Sequence, residues 1–320
     1  MSATTKKIIF ALSAIALFLL PFLIEDFRVF QVNLVLIYAI AILGLNILTG
    51  YGGQISLGHG AFYALGAYTS AVLISQLGVS SYLTIPISGV VCLVLGVLMG
   101  FPALRLAGHY LALATFALAI AVPQLLKYKG IEHWTGGVQG IVLEKPTPPF
   151  EIVLFGNELS EDRWLYFVIL AIALGLFWMA HNLLSGRVGR AIMAIREQPT
   201  AAAALGVNLT FIKTATFGLS AAYTGIAGAL SALAVAYIAP DSFPAFLSIS
   251  LLVGVVVGGL GSISGAIFGA LFIQFVPNVA DEISKSAPWA VYGAMLLALA
   301  YAAPNGVMGI LKNIKKRRQA

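Results

Sequence analysis

The hydrophobic positions of this chain form long, nearly unbroken runs rather than alternating with polar ones. Apolar segments at 8–24, 30–48, 55–77, 83–101, 109–127, 164–181, 213–237, 245–260, 263–280 and 287–303 are joined by polar connections. A helix needs about 20 apolar residues to cross a hydrocarbon core of ~30 Å, so the pattern predicts about ten membrane-spanning helices in one all-α, polytopic membrane domain over 1–320. Glycine interrupts the segments at 55–77 and 245–280, which therefore read either as spans or as broken, re-entrant helices.

Composition sharpens this picture. Of the residues, 60% are hydrophobic and 9% are charged, where a soluble domain carries roughly 25% charged residues. So few charges cannot clothe a water-facing surface, so lipid must cover most of it. Cys92 is the single cysteine, which excludes an intrachain disulfide.

Charge distribution predicts orientation, because lysine and arginine concentrate in cytoplasmic loops. With the N-terminus inside and the spans alternating, 12 basic residues fall inside, among them Arg105, Arg187, Arg190, Arg196, Lys213 and the run Lys312–Arg318, against 6 outside. Glu197 is the one acid inside, against 11 outside. Both termini are therefore expected in the cytoplasm. The tail 304–320 reads as an anchor on anionic lipid and not as a nucleic-acid-binding element. Lys6 and Lys7 precede an apolar stretch as in a signal peptide, but Leu20–Ile24 runs into Glu25-Asp26 without a small-x-small cleavage site, so an uncleaved first span is expected.

The apolar interior carries no aspartate, glutamate, lysine or arginine; His59 and His109 are its ionisable residues. Proton-coupled carriers keep such a group in the membrane, so that class is disfavoured. No Gly-Lys dipeptide occurs, which excludes a P-loop, so any nucleotide must be hydrolysed by another subunit. Four scattered histidines at 59, 109, 133 and 181 give no metal-ligand spacing, and catalysis and a bound metal are not expected.

Three motifs remain. Thr49–Phe62 is dense in glycine, at Gly50, Gly52, Gly53, Gly58 and Gly60. It reads either as a broken helix lining a translocation path, with Ser56 and His59 as its polar lining, or as a tight interfacial turn. Gly50, Gly53, Ile55 and Ser56 match Gly258, Gly261, Ile263 and Ser264, as if from two repeated halves, and Gly261, Gly265 and Gly269 share one helix face. In the inside loop 182–212, Arg187, Arg190 and Arg196 lead into the alanine-rich stretch Thr200–Leu205, between Pro199 and Gly206. That stretch predicts a short surface helix, either docking on a soluble partner or simply lying at the interface. The outside loop 128–163 holds Thr135-Gly136-Gly137-Val138-Gln139-Gly140-Ile141 and the acids Glu144, Glu151, Glu158, Glu161 and Asp162, which suit a basic extracytoplasmic partner or ordinary solvated surface.

Together these strings resemble the LivM-type permeases of high-affinity branched-chain amino acid ABC importers. The resemblance is carried by Leu45-Asn46 through Ala61, Arg105-Leu106-x-Gly108-x-Tyr110, Thr135–Ile141, Gly189-Arg190-Ala191 through Gly206, Gly225–Leu230 and Gly258-Gly259-x-Gly261-Ser262. It departs at His109, where an acid is frequent, and at Val138-Gln139, where Pro-Asn is frequent.

The resemblance implies a multi-pass subunit of the bacterial inner (plasma) membrane, without its own ATPase site or cofactor. ATP and Mg would be handled by two ABC ATPase partners, beside a LivH-type sister permease, a periplasmic amino-acid-binding protein and membrane lipid. Arg190, Arg196, Glu197, Ala201, Ala202, Leu205 and Gly206 then correspond to the ATPase-coupling loop. Ser56, His59, Thr135, Gly136, Gly137 and Ser264 are the expected substrate-path residues. Permeases for urea, short amides or aromatic compounds, and a stand-alone secondary transporter, remain the alternatives.

Overall fold

The computed structural model describes residues 17–103, 108–148, 153–154, 157–158 and 160–310. Most of the first expected span, the Arg105-Leu106 turn, Glu151 and the run Lys312–Arg318 lie outside the described residues. The chain is mainly helical. Helix α1 (Asp26–Asn46) runs into a π-helical turn, Ile47–Tyr51. Then follow α2 (His59–Leu77), α3 (Ser81–Ala103), α4 (His109–Leu126), the short α5 (Glu132–Thr135) and α6 (Glu161–Ser185). An elbow of α7 (Arg187–Glu197) and α8 (Pro199–Ala204) leads to α9 (Leu209–Val235), α10 (Ala245–Gly258), α11 (Gly265–Ile283) and α12 (Pro288–Ala302).

Among the described residues, six helical stretches are long and apolar enough to cross a membrane: Asp26–Tyr51, Ser81–Phe101, Glu161–Ser185, Leu209–Val235, Pro240–Gly258 and Gly265–Ile283. A seventh arises if Tyr110–Leu126 and Lys129–Thr135, bent by 61°, count as one span. The expected ten is not reached by this criterion. Helix α2 spans 19 residues but carries His59, Thr69, Ser70 and Gln76, which lower its hydropathy, and α12 is only 15 residues long.

Helix ends fall where local chemistry puts them. Gly78, with φ 61°, closes α2 by returning its N–H to Ile74 O while Val79 N–H reaches Leu73 O, the paired bonds of a glycine-terminated helix. Ser160 accepts from Arg163 N at the start of α6, above Glu161 and Asp162, which favour the positive end of the helix. Asn208 does the same for α9 through Phe211 N.

Helix α9 is the hub, packed against α1, α2 and α3, and its interior is almost wholly buried. Lipid tails are as apolar as leucine, so association rests on close contact rather than on water exclusion. Gly66 and Gly225 supply that contact: a Cβ on Gly66 would lie 2.1 Å from Gly225 O. Gly265 and Gly269 likewise bring α11 against the backbone of Gly258 and Gly254 on α10. Gly261 does not share their helix face; it sits in the preceding turn with φ 70°.

The fold has two chemically distinct ends. One holds Arg187, Arg190, Arg196 and Lys213 on the elbow and the start of α9. The other holds the ion pairs Lys127–Asp241 at 2.5 Å, Lys145–Asp162 at 2.7 Å and Arg163–Asp26 at 2.8 Å. At that acidic end β1 (Ile141–Val142) pairs antiparallel with β4 (Tyr237–Ile238), and β2 (Val153–Leu154) with β3 (Asn157–Glu158).

Candidate functional site

The glycine-dense string forms a non-helical re-entry into the bundle. After the π turn, Gly52 and Gly53 reverse the chain, Gly53 with φ 67°, and α2 does not begin until His59. His59 reaches Gly44 O through Ser220, and Gly44 lies seven residues before Tyr51, which places the start of α2 about 10 Å inside the end of the π turn. Backbone groups freed at such a depth need partners. Thr49 Oγ1 donates to Gln54 O at 2.9 Å, Leu57 N–H donates to Thr115 Oγ1 at 3.0 Å, and Gly60 N–H donates to Ser248 Oγ at 2.8 Å. Hydroxyls of α4 and α10 thus support the re-entry from two sides.

His59 closes the same arrangement. Its Nε2 lies 2.6 Å from Ser220 Oγ on α9, and Ser220 donates its one hydroxyl proton to Gly44 O at 2.6 Å. The bond to Ser220 must therefore use an Nε2–H, leaving Nδ1 to accept from Ser56 Oγ at 3.0 Å. Ser56 in turn accepts from Gly58 N–H at 3.3 Å. Ser56, His59 and Ser220 are fully buried. In this conformation the neutral ring knots α1, α2 and α9 together, with the edges of Phe62 and Phe217 around it.

The six expected path residues do not converge. Thr135 lies at the acidic end, where its hydroxyl donates to Leu126 O at 2.8 Å and accepts from Gly137 N–H at 3.3 Å. Gly136 and Gly137 follow with φ 71° and 57° and fold the loop back on α4. About 16 Å of α4 separates Leu126 from Thr115, which touches the re-entry. Ser264 is exposed at the basic end, near Met308 Sδ.

Of the seven expected coupling residues, six are exposed on the elbow and Ala202 is buried. Helix α7 buries Gly189, Ile192 and Ile195 and turns Arg187, Arg190 and Glu197 outward, while Arg196 reaches back to Gly50 O. Pro199 opens α8, Ala202 packs inward, Ala201 faces out, and Leu205 is 84% exposed beside Gly206, whose φ of 82° stops the helix. An exposed leucine at the tip of a helix pair offers an apolar knob to a groove.

Sequence reasoning missed Ser220, Ser248, Thr115 and the clamp made by Asn46. Asn46, 1% exposed, donates from Nδ2 to Ser262 O at 2.8 Å and accepts from Gly261 N–H at 3.0 Å. Its signal was present: an amide within an apolar run must find polar partners in neighbouring helices.

Known proteins agree with this architecture. The family described as branched-chain amino acid transport system / permease component matches residues 28–302. The high-affinity branched-chain amino acid transport system permease protein LivM of Escherichia coli K12 is 33% identical over 96% of this chain and 76% of its own length. LivM of Salmonella typhimurium is 32% identical with the same coverage. LivH of E. coli K12, named as a permease of the same kind of system, is 25% identical over 85% of this chain and 91% of its own length. No solved structure matches the chain. Over a match from Arg28 to Ala302 that takes in the re-entry, the elbow and the turn after α10, this chain belongs to the family of branched-chain amino acid transport system permease components.

Proposed function

We propose that this chain is the LivM-type permease of an ATP-driven importer that carries branched-chain or related amino acids across the bacterial inner membrane. The observation that carries the reading is the α7–α8 elbow, a polar-faced helix pair at the arginine-rich end that ends in the exposed Leu205. By the preference of lysine and arginine for the cytoplasmic side, that end and both termini face the cytoplasm. Two ABC ATPase subunits dock there and hydrolyse ATP with Mg, a LivH-type sister permease completes the channel, and a periplasmic binding protein delivers substrate to the acidic end.

The mechanism follows from the chain's own chemistry. Among the described residues no carboxylate or ammonium group is buried in the helices, so the path suits a solute with an apolar side chain and a compact zwitterionic head. Hydroxyls and helix ends can satisfy that head without a fixed counter-ion. Closure of the ATPases displaces α8, and α7 passes the motion to the bundle. Deleting Thr200–Leu205 should abolish ATP-driven uptake of labelled leucine by the complete complex while membrane insertion persists. Uptake that survives the deletion would refute the coupling assignment.

A further inference from the structure

The two matching glycine-rich strings meet at the basic end. A Cβ on Gly50 would lie 2.5 Å from Gly261 N. Asn46 bridges them, binding Gly261 and Ser262 through both atoms of its amide. Each string joins two helices of the bundle, α1 to α2 and α10 to α11. Moving this junction therefore tilts four helices together.

One side chain from outside the junction reaches into it. Arg196, in the last turn of α7, donates from Nη1 to Gly50 O at the end of the π turn. Terminal carbonyls of a helix carry partial negative charge and lack intrahelical donors, so they favour a guanidinium. The stem of Arg196 crosses Gly53, where a Cβ would come within 2.9 Å of its Cγ, and its Nη1 lies 3.8 Å from where a Cβ of Gly261 would stand. Only glycine at 53 leaves room for that crossing. Arg196 also stands three residues before Pro199, the first residue of α8, so load on α8 reaches it through a single bend at Gln198.

We propose that Arg196 is the positioning residue that transmits displacement of the elbow to both glycine-rich turns, with Asn46 locking the two turns into one moving part. This deepens the importer reading and rests on it. The π turn suits the role, since such turns loosen a helix locally and recur at functional sites. Two packed arrangements of the junction, rather than a graded deformation, would let a small shift of α7 switch the four helices.

The test is the number of leucine molecules accumulated per ATP hydrolysed by the complete importer in proteoliposomes, for the wild type, Arg196→Ala and Arg196→Lys. Arg196 is exposed on the elbow, and the variants should assemble in wild-type amounts, checked by co-purification. Arg196→Ala should keep hydrolysing ATP while its uptake per ATP falls at least about fivefold, the lower end of a typical coupling between sites. Arg196→Lys, which can still donate to a carbonyl, should recover part of the loss. An unchanged ratio in Arg196→Ala overturns the proposal. So does an equal fall of hydrolysis and uptake in fully assembled complexes, which would place Arg196 on the ATPase contact instead. A wild-type complex that hydrolyses ATP without accumulating leucine sinks the importer reading, and the proposal with it, before any variant is compared.

Discussion

The Nε2–H of His59 donates to Ser220 Oγ across 2.6 Å, and the hydroxyl of Ser220 continues to Gly44 O, joining the start of α2 to the middle of α9 and the last turn of α1. The direction of each bond follows from the single proton on Ser220. Ser220→Ala leaves the buried Nε2–H of His59 without a partner, a loss of about 1–3 kcal/mol, while Gly44 O keeps the N–H of Ile47. The variant should unfold at lower denaturant concentration in lipid micelles than the wild type. An unchanged midpoint would mean that the ring does not hold the three helices together.

Gly66 and Gly175 make a matched pair. A methyl group on Gly66 would meet Gly225 O at 2.1 Å, whereas one on Gly175 meets nothing within 4 Å. Gly66→Ala should force α2 from α9 and destabilise by about 1–3 kcal/mol, the usual range for overpacking. Gly175→Ala should be neutral or slightly stabilising, since alanine favours helix over glycine by up to about 1 kcal/mol. Thermal inactivation of the purified protein separates the two; equal effects would contradict the close crossing.

Leu205 is 84% exposed at the tip of the elbow. Leu205→Asp places a charge where an apolar knob stood and touches nothing in the fold. Membrane insertion and stability should be unchanged, while affinity for the ATPase subunits, followed by co-purification, should fall at least about thirtyfold, as expected for an interface anchor worth about 2 kcal/mol or more. Retained ATPase binding would move the contact elsewhere on the elbow.

Thr135 ties the loop after α4 to Leu126 O. Thr135→Val should raise protease cleavage between Lys129 and Gly140 while leaving the substrate concentration for half-maximal uptake unchanged. A raised half-saturation with a protected loop would restore Thr135 to the substrate path.

The helical, polytopic membrane character was legible in the sequence, because an uninterrupted apolar run admits few structures in lipid other than a helix. The number of spans was not, since six to seven of the expected ten meet the length and hydropathy test among the described residues. The short helix at 199–204 was legible too, since Pro199 and Gly206 mark its ends. Glycine spacing misplaced Gly261, because residues four apart share a face only if the helix includes them all, and α11 starts at Gly265. The site was harder to read. His59 and Ser56 stood out as polar residues in an apolar stretch, but their partner Ser220 lies 161 residues from His59, among many serines in apolar helices. No local pattern distinguishes the serine that completes a buried network from one that bonds its own helix, as Thr224 bonds Ser220 O. Thr135 and Ser264 resembled path residues by type and landed at opposite ends of the bundle.

In the proposed importer, this chain moves solute with work delivered through its elbow by partner ATPases. The direct measurement is accumulation of labelled leucine in proteoliposomes containing either the complete importer or this chain alone. Accumulation above the external concentration only in the complete importer, and only with ATP, is the predicted result. The isolated chain concentrating leucine without ATP would contradict it.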